Sequence, residues 1–223
     1  MDFVKHKSVN FFGRITAGIT HEIKNVLAII QESSGLMEDI IDVSENDAFL
    51  HKDKFIKSLD RIRRQIQRGI DITTCLNRFA HSPDHSPISL DLNDITQQMI
   101  LLAARFARLK NVALELSPSD PPLAIKTDPV FLEMALFESI EILLKVIDSG
   151  GKITLFPRKI QNRCVLGVRY ENSAFYKEDF PAEISSTQHW ASLQETMAYL
   201  GGTAKTFGPV PEILLYLPES MAD

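Results

Sequence analysis

The sequence predicts an α+β protein: an N-terminal two-helix hairpin forming a dimeric four-helix bundle, followed by a two-layer α/β sandwich with a mixed sheet. Three observations predict it. Two proline-free stretches, about residues 11–43 and 53–79, repeat apolar residues at helical spacing. A two-helix hairpin cannot bury its stripe alone, so a second copy is the economical way to close the bundle. From residue 88 onward, short alternating strands interleave with helical segments, the pattern of a sheet covered by helices.

Composition sets the limits. The chain has 223 residues, 44% of them hydrophobic and 8% aromatic, enough for one large domain or two small ones with a real core. No apolar run approaches the roughly 18 residues of a membrane span, and Met1-Asp2-Phe3-Val4-Lys5-His6-Lys7 has no signal-peptide core. Cys75 and Cys164 match no metal spacing, so a reduced, cytoplasmic protein is expected. The net charge of −5 is uneven: residues 1–82 hold 12 Lys and Arg against 11 Asp and Glu, and residues 83–223 hold 12 against 18. The one dense basic cluster, Arg61, Arg63, Arg64 and Arg68, makes no basic stripe. It reads as a solvated helix face or a contact for an acidic protein. Neither nucleic acid nor membrane is expected as a partner.

The first helical stretch centres on His21. With His21 at zero on a wheel of about 100° per residue, Ile15, Ile19, Ile23, Val26, Ile30, Met37 and Ile41 fall between roughly 120° and 200°. His21 therefore lies on the solvated crest, with small neighbours Ala17, Gly18 and Ala28. The polar stretch Ser44-Glu45-Asn46-Asp47 ends this helix. The second carries Phe55, Ile56, Leu59, Ile62, Ile66, Ile70, Ile72, Leu76 and Phe79, and its partner across a short loop is the first.

Prolines 83 and 87 mark residues 83–87 as a linker between a unit at 1–82 and another at 88–223. His81 and His85 stand four apart, but with no third ligand nearby no metal site is expected. Ile88 to Leu92 alternates as an edge strand, and Asn93 or Asp94 would cap a helix through about Leu109. Val112 to Leu116 and Leu123 to Lys126 read as short strands. Asp128-Pro129 opens a helix to about Ile147, with proline at its first position. After Gly150-Gly151 come strands at 152–157 and 164–170, a helix from Trp190 to Leu200 stopped by Gly201-Gly202, and a last hairpin strand at 212–218.

His21-Glu22-Ile23-Lys24-Asn25, with its lead-in Gly13-Arg14-Ile15-Thr16-Ala17-Gly18-Ile19, resembles the phosphoacceptor box of sensor histidine kinases. Leu27 fits as well, and Val26 stands where the family has proline. Arg68, Gly69, Leu76, Arg78 and Phe79 resemble the end of the family's second dimerisation helix, and residues 91–94 through 128–132 follow its ATP-binding domain in order. The resemblance implies a histidine-kinase-type sandwich at 88–223, and a degenerate one. Where the family's metal-binding asparagine should stand, Leu132 to Leu143 carries Ile142, which offers Mg²⁺ no oxygen. The adenine-recognising Asp-x-Gly-x-Gly appears as Glu171-Asn172-Ser173-Ala174-Phe175, without either glycine. The glycine-rich lid is missing, because Pro181 to His189 runs almost directly into the last helix.

A kinase-like dimer with an accessible histidine and no nucleotide site resembles the ChpT-like phosphotransferases, which carry phosphate between response-regulator receiver domains. That resemblance implies His21 as phosphoacceptor, loaded by another protein. It implies Glu22 as the group that orients or polarises His21, and Arg14 and Lys24 as neutralisers of phosphoryl charge. The docking surface would lie around Ala17, Gly18, Asn25 and Ala28. The chain would hold no cofactor or metal of its own, Mg²⁺ being supplied by the receiver domain. Two other readings stay open: a response-regulator phosphatase in which Glu22 and Asn25, one turn apart, position a water, and a non-catalytic pseudokinase adaptor. A residual ATP-dependent kinase is the fourth.

Overall fold

The structure, a computed structural model, describes residues 2–43, 51–84, 86–147, 149–172, 179–208 and 210–218. The anticipated loop at Ser44 to Asp47, the imidazole of His85 and the segment Ser173-Ala174-Phe175 lie outside the described residues. The first two elements are helices, α1 (Asp2–Val43) and α2 (Lys52–Ala80). They run antiparallel: Glu32 faces Arg61, Val26 lies against Gly69, Glu22 meets Arg68 and Phe12 stacks on Phe79. The start of α1 at Asp2, earlier than the periodicity predicts, has a physical cause. Lys7 and Phe11 are anchored in the second half of the chain, and those anchors have no sequence period.

A 3-10 turn (Ser82–Asp84) leads into β1 (Ile88–Asp91), α3 (Leu92–Arg108), β2 (Ala113–Leu116), β3 (Ala124–Thr127) and α4 (Pro129–Val146). Then follow β4 (Lys152–Ile160), β5 (Arg163–Glu171), α5 (Phe180–Ser185), α6 (Gln188–Tyr199), β6 (Thr203–Phe207) and β7 (Glu212–Tyr216). The main sheet has the order β2-β4-β5-β7-β6, parallel only between β2 and β4, while β1 and β3 form a separate antiparallel pair. The sheet is mixed, as its predicted strands require.

Local chemistry explains the helix starts. Asp128 caps α4 by accepting from the Phe131 amide, with Pro129 in the first turn. The cap of α3 corrects the sequence expectation. It is Asp91, whose carboxylate accepts from the amides of Asn93 and Asp94, while Asn93 turns its side chain to the backbone of Ser119. Two elements were not predicted. The short helix α5 stands between Pro181 and His189, burying Phe180 and Ile184, and β6 pairs with β7 as the other arm of the terminal hairpin.

The core runs through α4, whose Leu132, Ala135, Leu136, Ile140 and Leu143 have essentially no exposed surface. It does not stop at the linker. Phe11, Ile15, Ile19 and Val26 of α1 and Ile72 and Phe79 of α2 belong to the same cluster. Phe137 of α4 is the meeting point, its ring 5.6 Å from Phe11 and 5.1 Å from Phe106 of α3. One stretch of each long helix is left uncovered: Leu27, Leu36 and Ile41 on α1, and Ile56, Leu59, Ile66 and Ile70 on α2, each about half exposed.

Candidate functional site

His21 stands on the exposed side of α1, near its middle. Its imidazole is engaged at one nitrogen: Nδ1 lies 3.2 Å from the side-chain nitrogen of Asn25, four residues on and so one turn along the same face. The amide can serve either tautomer, donating to a bare Nδ1 or, turned over, accepting from Nδ1–H. Nε2 makes no hydrogen bond among the described residues. Lys24, Ala17 and Ala28 are exposed around it.

Glu22 points the other way. At 3% exposure it is buried between α2 and α3, and both its oxygens are taken. Arg108 of α3 grips it through two nitrogens, at 3.0 Å to Oε1 and 2.8 Å to Oε2, and Arg68 of α2 donates to Oε2 at 2.6 Å. Such a fork is the strong form of a charge-assisted contact. The residue bonded to His21 is thus Asn25 and not Glu22, since neighbouring helix residues project about 100° apart.

Gly18 also departs from the crest. It is buried beneath the Phe106 ring, which a Cβ at that position would meet at 3.1 Å. The wheel of a lone helix cannot see this, because the ring belongs to α3. Arg14 is committed as well, donating through both terminal nitrogens to Glu141 of α4 (2.6 Å to Oε2). Its guanidinium lies 5.7 Å from the Phe106 ring centre and 5.2 Å from that of Phe137.

The helix α4 carries Ile142, one of the positions at which the sequence is expected to depart from the kinase pattern. Ile142 is buried in the core cluster. Glu138 accepts from Ser192 (2.6 Å) and Thr196 (2.8 Å) of α6 and pairs with Lys7 of α1 at 3.2 Å. Lys7 also donates to the Ser192 carbonyl. Between α1, α4 and α6 remains a cavity of about 410 Å³, lined among others by Lys7, Arg14, Phe137, Glu138, Glu141 and His189. Its cations and carboxylates largely satisfy one another. Glu171 closes β5 in an ion pair with Lys152 at 3.3 Å. Among the described residues, no cluster of three or more His, Cys, Asp or Glu could hold a metal ion, and no helix is long and apolar enough to cross a membrane.

The sequence reading puts Phe106 among the inward residues of α3 and misses Arg108, Glu138 and Glu141. The only signal for these was chemical: all three are charged, and the two glutamates stand on the largely apolar α4.

No protein-family model matches the sequence, and no curated protein matches it. Solved structures do. The nucleotide-free catalytic domain of histidine kinase ThkA superposes with a TM-score of 0.50 at 13% identity, over 61% of this chain and 97% of that one. The histidine kinase AdeS of Acinetobacter baumannii matches with a TM-score of 0.47 at 15% identity, over 91% of this chain and 98% of its own. The cytoplasmic segment of histidine kinase QseC gives 0.46 at 12%, over 68% and 95%. The likeness rests on the first of these and is one of fold. Over the part of the chain that the ThkA domain covers, the fold is histidine-kinase-like.

Proposed function

We propose that the chain is a cytoplasmic, homodimeric histidine phosphotransfer protein of a two-component phosphorelay. His21 accepts a phosphoryl group from one receiver-domain aspartate and donates it to another, without ATP. The observation that carries this reading is the state of the imidazole, exposed, held at Nδ1 by Asn25 and unengaged at Nε2. In the tautomer protonated at Nδ1, which the Asn25 amide serves once turned over so that its carbonyl accepts, Nε2 bears the lone pair. That lone pair attacks phosphorus, the bond from phosphorus to the aspartyl oxygen breaks, and the carboxylate leaves as an anion while Nδ1 keeps its proton. The reverse sequence loads the next aspartate. Mg²⁺ held by the receiver's own carboxylates offsets the phosphoryl charge, so this chain supplies mainly position.

The state of α4 supports the omission of ATP. Ile142 is buried and offers no oxygen, and Glu138 and Glu141 are bound to Lys7 and Arg14 of α1. The uncovered stripes of α1 and α2 support a dimer. Lys24, Ala17, Asn25 and Ala28 remain as docking surface, whereas Gly18 is buried under the Phe106 ring and Arg14 is engaged by Glu141. The phosphatase reading has less support, because Glu22 is buried and turned toward Arg68 and Arg108 and not toward His21.

The test is to incubate the chain with a phosphorylated receiver domain, wild type beside His21→Ala and Asn25→Ala. Label on the wild type and none on His21→Ala is the expected result. Phosphate release that survives His21→Ala but is lost in Asn25→Ala would establish the phosphatase instead. Binding without change in receiver phosphorylation would leave an adaptor, and self-labelling from ATP would overturn the ATP-free reading.

A further inference from the structure

Glu22 is a single carboxylate shared by two guanidiniums. Arg108 and Arg68 together bring two positive charges to one negative, and both side chains remain partly in solvent, at 49% and 37% exposure, while Glu22 is enclosed. The cluster adjoins His21 in sequence and carries a surplus positive charge. The other nearby cation tied to the sandwich, Arg14, is neutralised by Glu141. Arg108 comes from α3, held against α1 by the Phe106 ring over Gly18 one turn before His21.

We propose that Arg108 is a positioning residue for the chemistry of His21. The Arg68–Glu22–Arg108 cluster keeps one uncompensated cation one helix position from His21, on the adjoining face of α1, and at low salt its field draws in an anionic phosphoryl donor and stabilises the charge it leaves. This rests on reading His21 as a phosphoacceptor. It gives α3 a task that needs no nucleotide: the sandwich adds a charge to those that Lys24 and Arg68 bring from the helix pair. The interaction is between partly exposed groups, so it is modest and screened by salt.

A clamp that merely braces α1 predicts something different, and the sign of two substitutions separates the two. Arg108→Ala and Glu22→Gln both break the contact between α1 and α3. The first removes a positive charge and the second a negative one. The full-length chain is treated with potassium phosphoramidate, and phosphorylation of His21 is followed by intact mass, with His21→Ala as the blank. In that reaction Nε2 attacks phosphorus, the P–N bond breaks, and ammonia leaves. At low salt, Arg108→Ala should slow labelling by about threefold to tenfold and Glu22→Gln should speed it by a similar factor. Both effects should shrink toward unity at about 1 M salt. Arg108→Lys, which keeps the charge and loses the fork, should label like the wild type, and it serves should Glu22→Gln fail to fold. Rates that move in the same direction, or do not move, overturn the proposal, as does wild type that takes no label at His21. Labelling by phosphoramidate without transfer from a receiver domain would sink the relay reading and leave the charge effect measurable.

Discussion

Glu133 of α4 has no exposed surface, yet it binds three elements together. Its Oε1 accepts from Ser82 in the turn after α2 (3.0 Å) and from Gln98 of α3 (2.8 Å), while Oε2 is buried without a hydrogen bond. Burial pushes its carboxyl up from 4.5 to about 8; the Ser82 hydrogen bond opposes the shift and nearby Asp128 adds to it. The same surroundings raise the Cys75 thiol to about 11, through burial first and Glu133 second, with Arg78 pulling the other way. Folded protein therefore holds the Glu133 proton more tightly than unfolded chain does. Its contribution to stability is full below about pH 4.5 and is lost as the pH rises toward 8, because a bare carboxylate is left in the core. Glu133→Gln keeps the hydrogen-bonding shape without the titration. Its unfolding free energy should lack this group's decline of a few kcal/mol between those limits. Urea melts of both proteins across pH 5 to 8.5 check this; parallel curves would mean Glu133 titrates normally.

At the scale of elements, the long helices each carry two faces with different fates. On α2, Ser58, Ile72, Cys75 and Phe79 turn inward, and Ile56, Leu59, Ile66 and Ile70 stay about half exposed. A stripe of that kind in water is a cost unless another surface covers it. Ile66→Glu, set among the four, should break the proposed dimer, lowering the molar mass seen by light scattering toward one chain while far-ultraviolet dichroism keeps its helical form. A wild type that is already monomeric would refute the bundle. Periodicity made α1, α2 and the Asp128-Pro129 start of α4 legible, because each of those signals is local. It could not assign the two faces of α1: Ile15, Ile19 and Val26 are buried within the chain, whereas Ile41 of the same predicted arc is not. Nothing in a helical wheel distinguishes a stripe met by α3 from one left for another copy. The site was legible to the same degree. His21 and Asn25 lie one turn apart on one helix and could be read directly. The hold on Glu22 is made by Arg68 and Arg108, 46 and 86 residues away, and no spacing rule reaches that far. The six-residue α5 was too short to show a period, and the polar residues of β6, Thr203, Lys205 and Thr206, hid its alternation.

The whole molecule behaves as one core only if the helix pair and the sandwich cannot melt apart. Three kinds of contact argue that they cannot. Phe11, Phe12 and Phe79 of the helix pair join Phe106 and Phe137 of the sandwich in a continuous chain of rings. Ion pairs tie Lys7 to Glu138, Arg14 to Glu141 and Glu22 to Arg108 across the same boundary. Ser82 of the connecting turn is itself buried on Glu133. These ion pairs are partly buried, so desolvation offsets much of their attraction, and the aromatic packing is the decisive part. Phe137, 2% exposed, meets two of these rings, Phe11 and Phe106, and Phe137→Ala should cost about 3–5 kcal/mol by leaving a cavity at the junction. Two probes report separately on the two halves. The single tryptophan, Trp190, is buried on α6 of the sandwich, whereas far-ultraviolet dichroism is dominated by the long helices α1 and α2. In the wild type the two signals should follow one denaturation curve, as a shared core demands. In Phe137→Ala both should shift together to lower denaturant. Curves that separate in the wild type would show that the helix pair folds independently, and a Phe137→Ala shift seen by tryptophan alone would place the junction outside the cooperative unit.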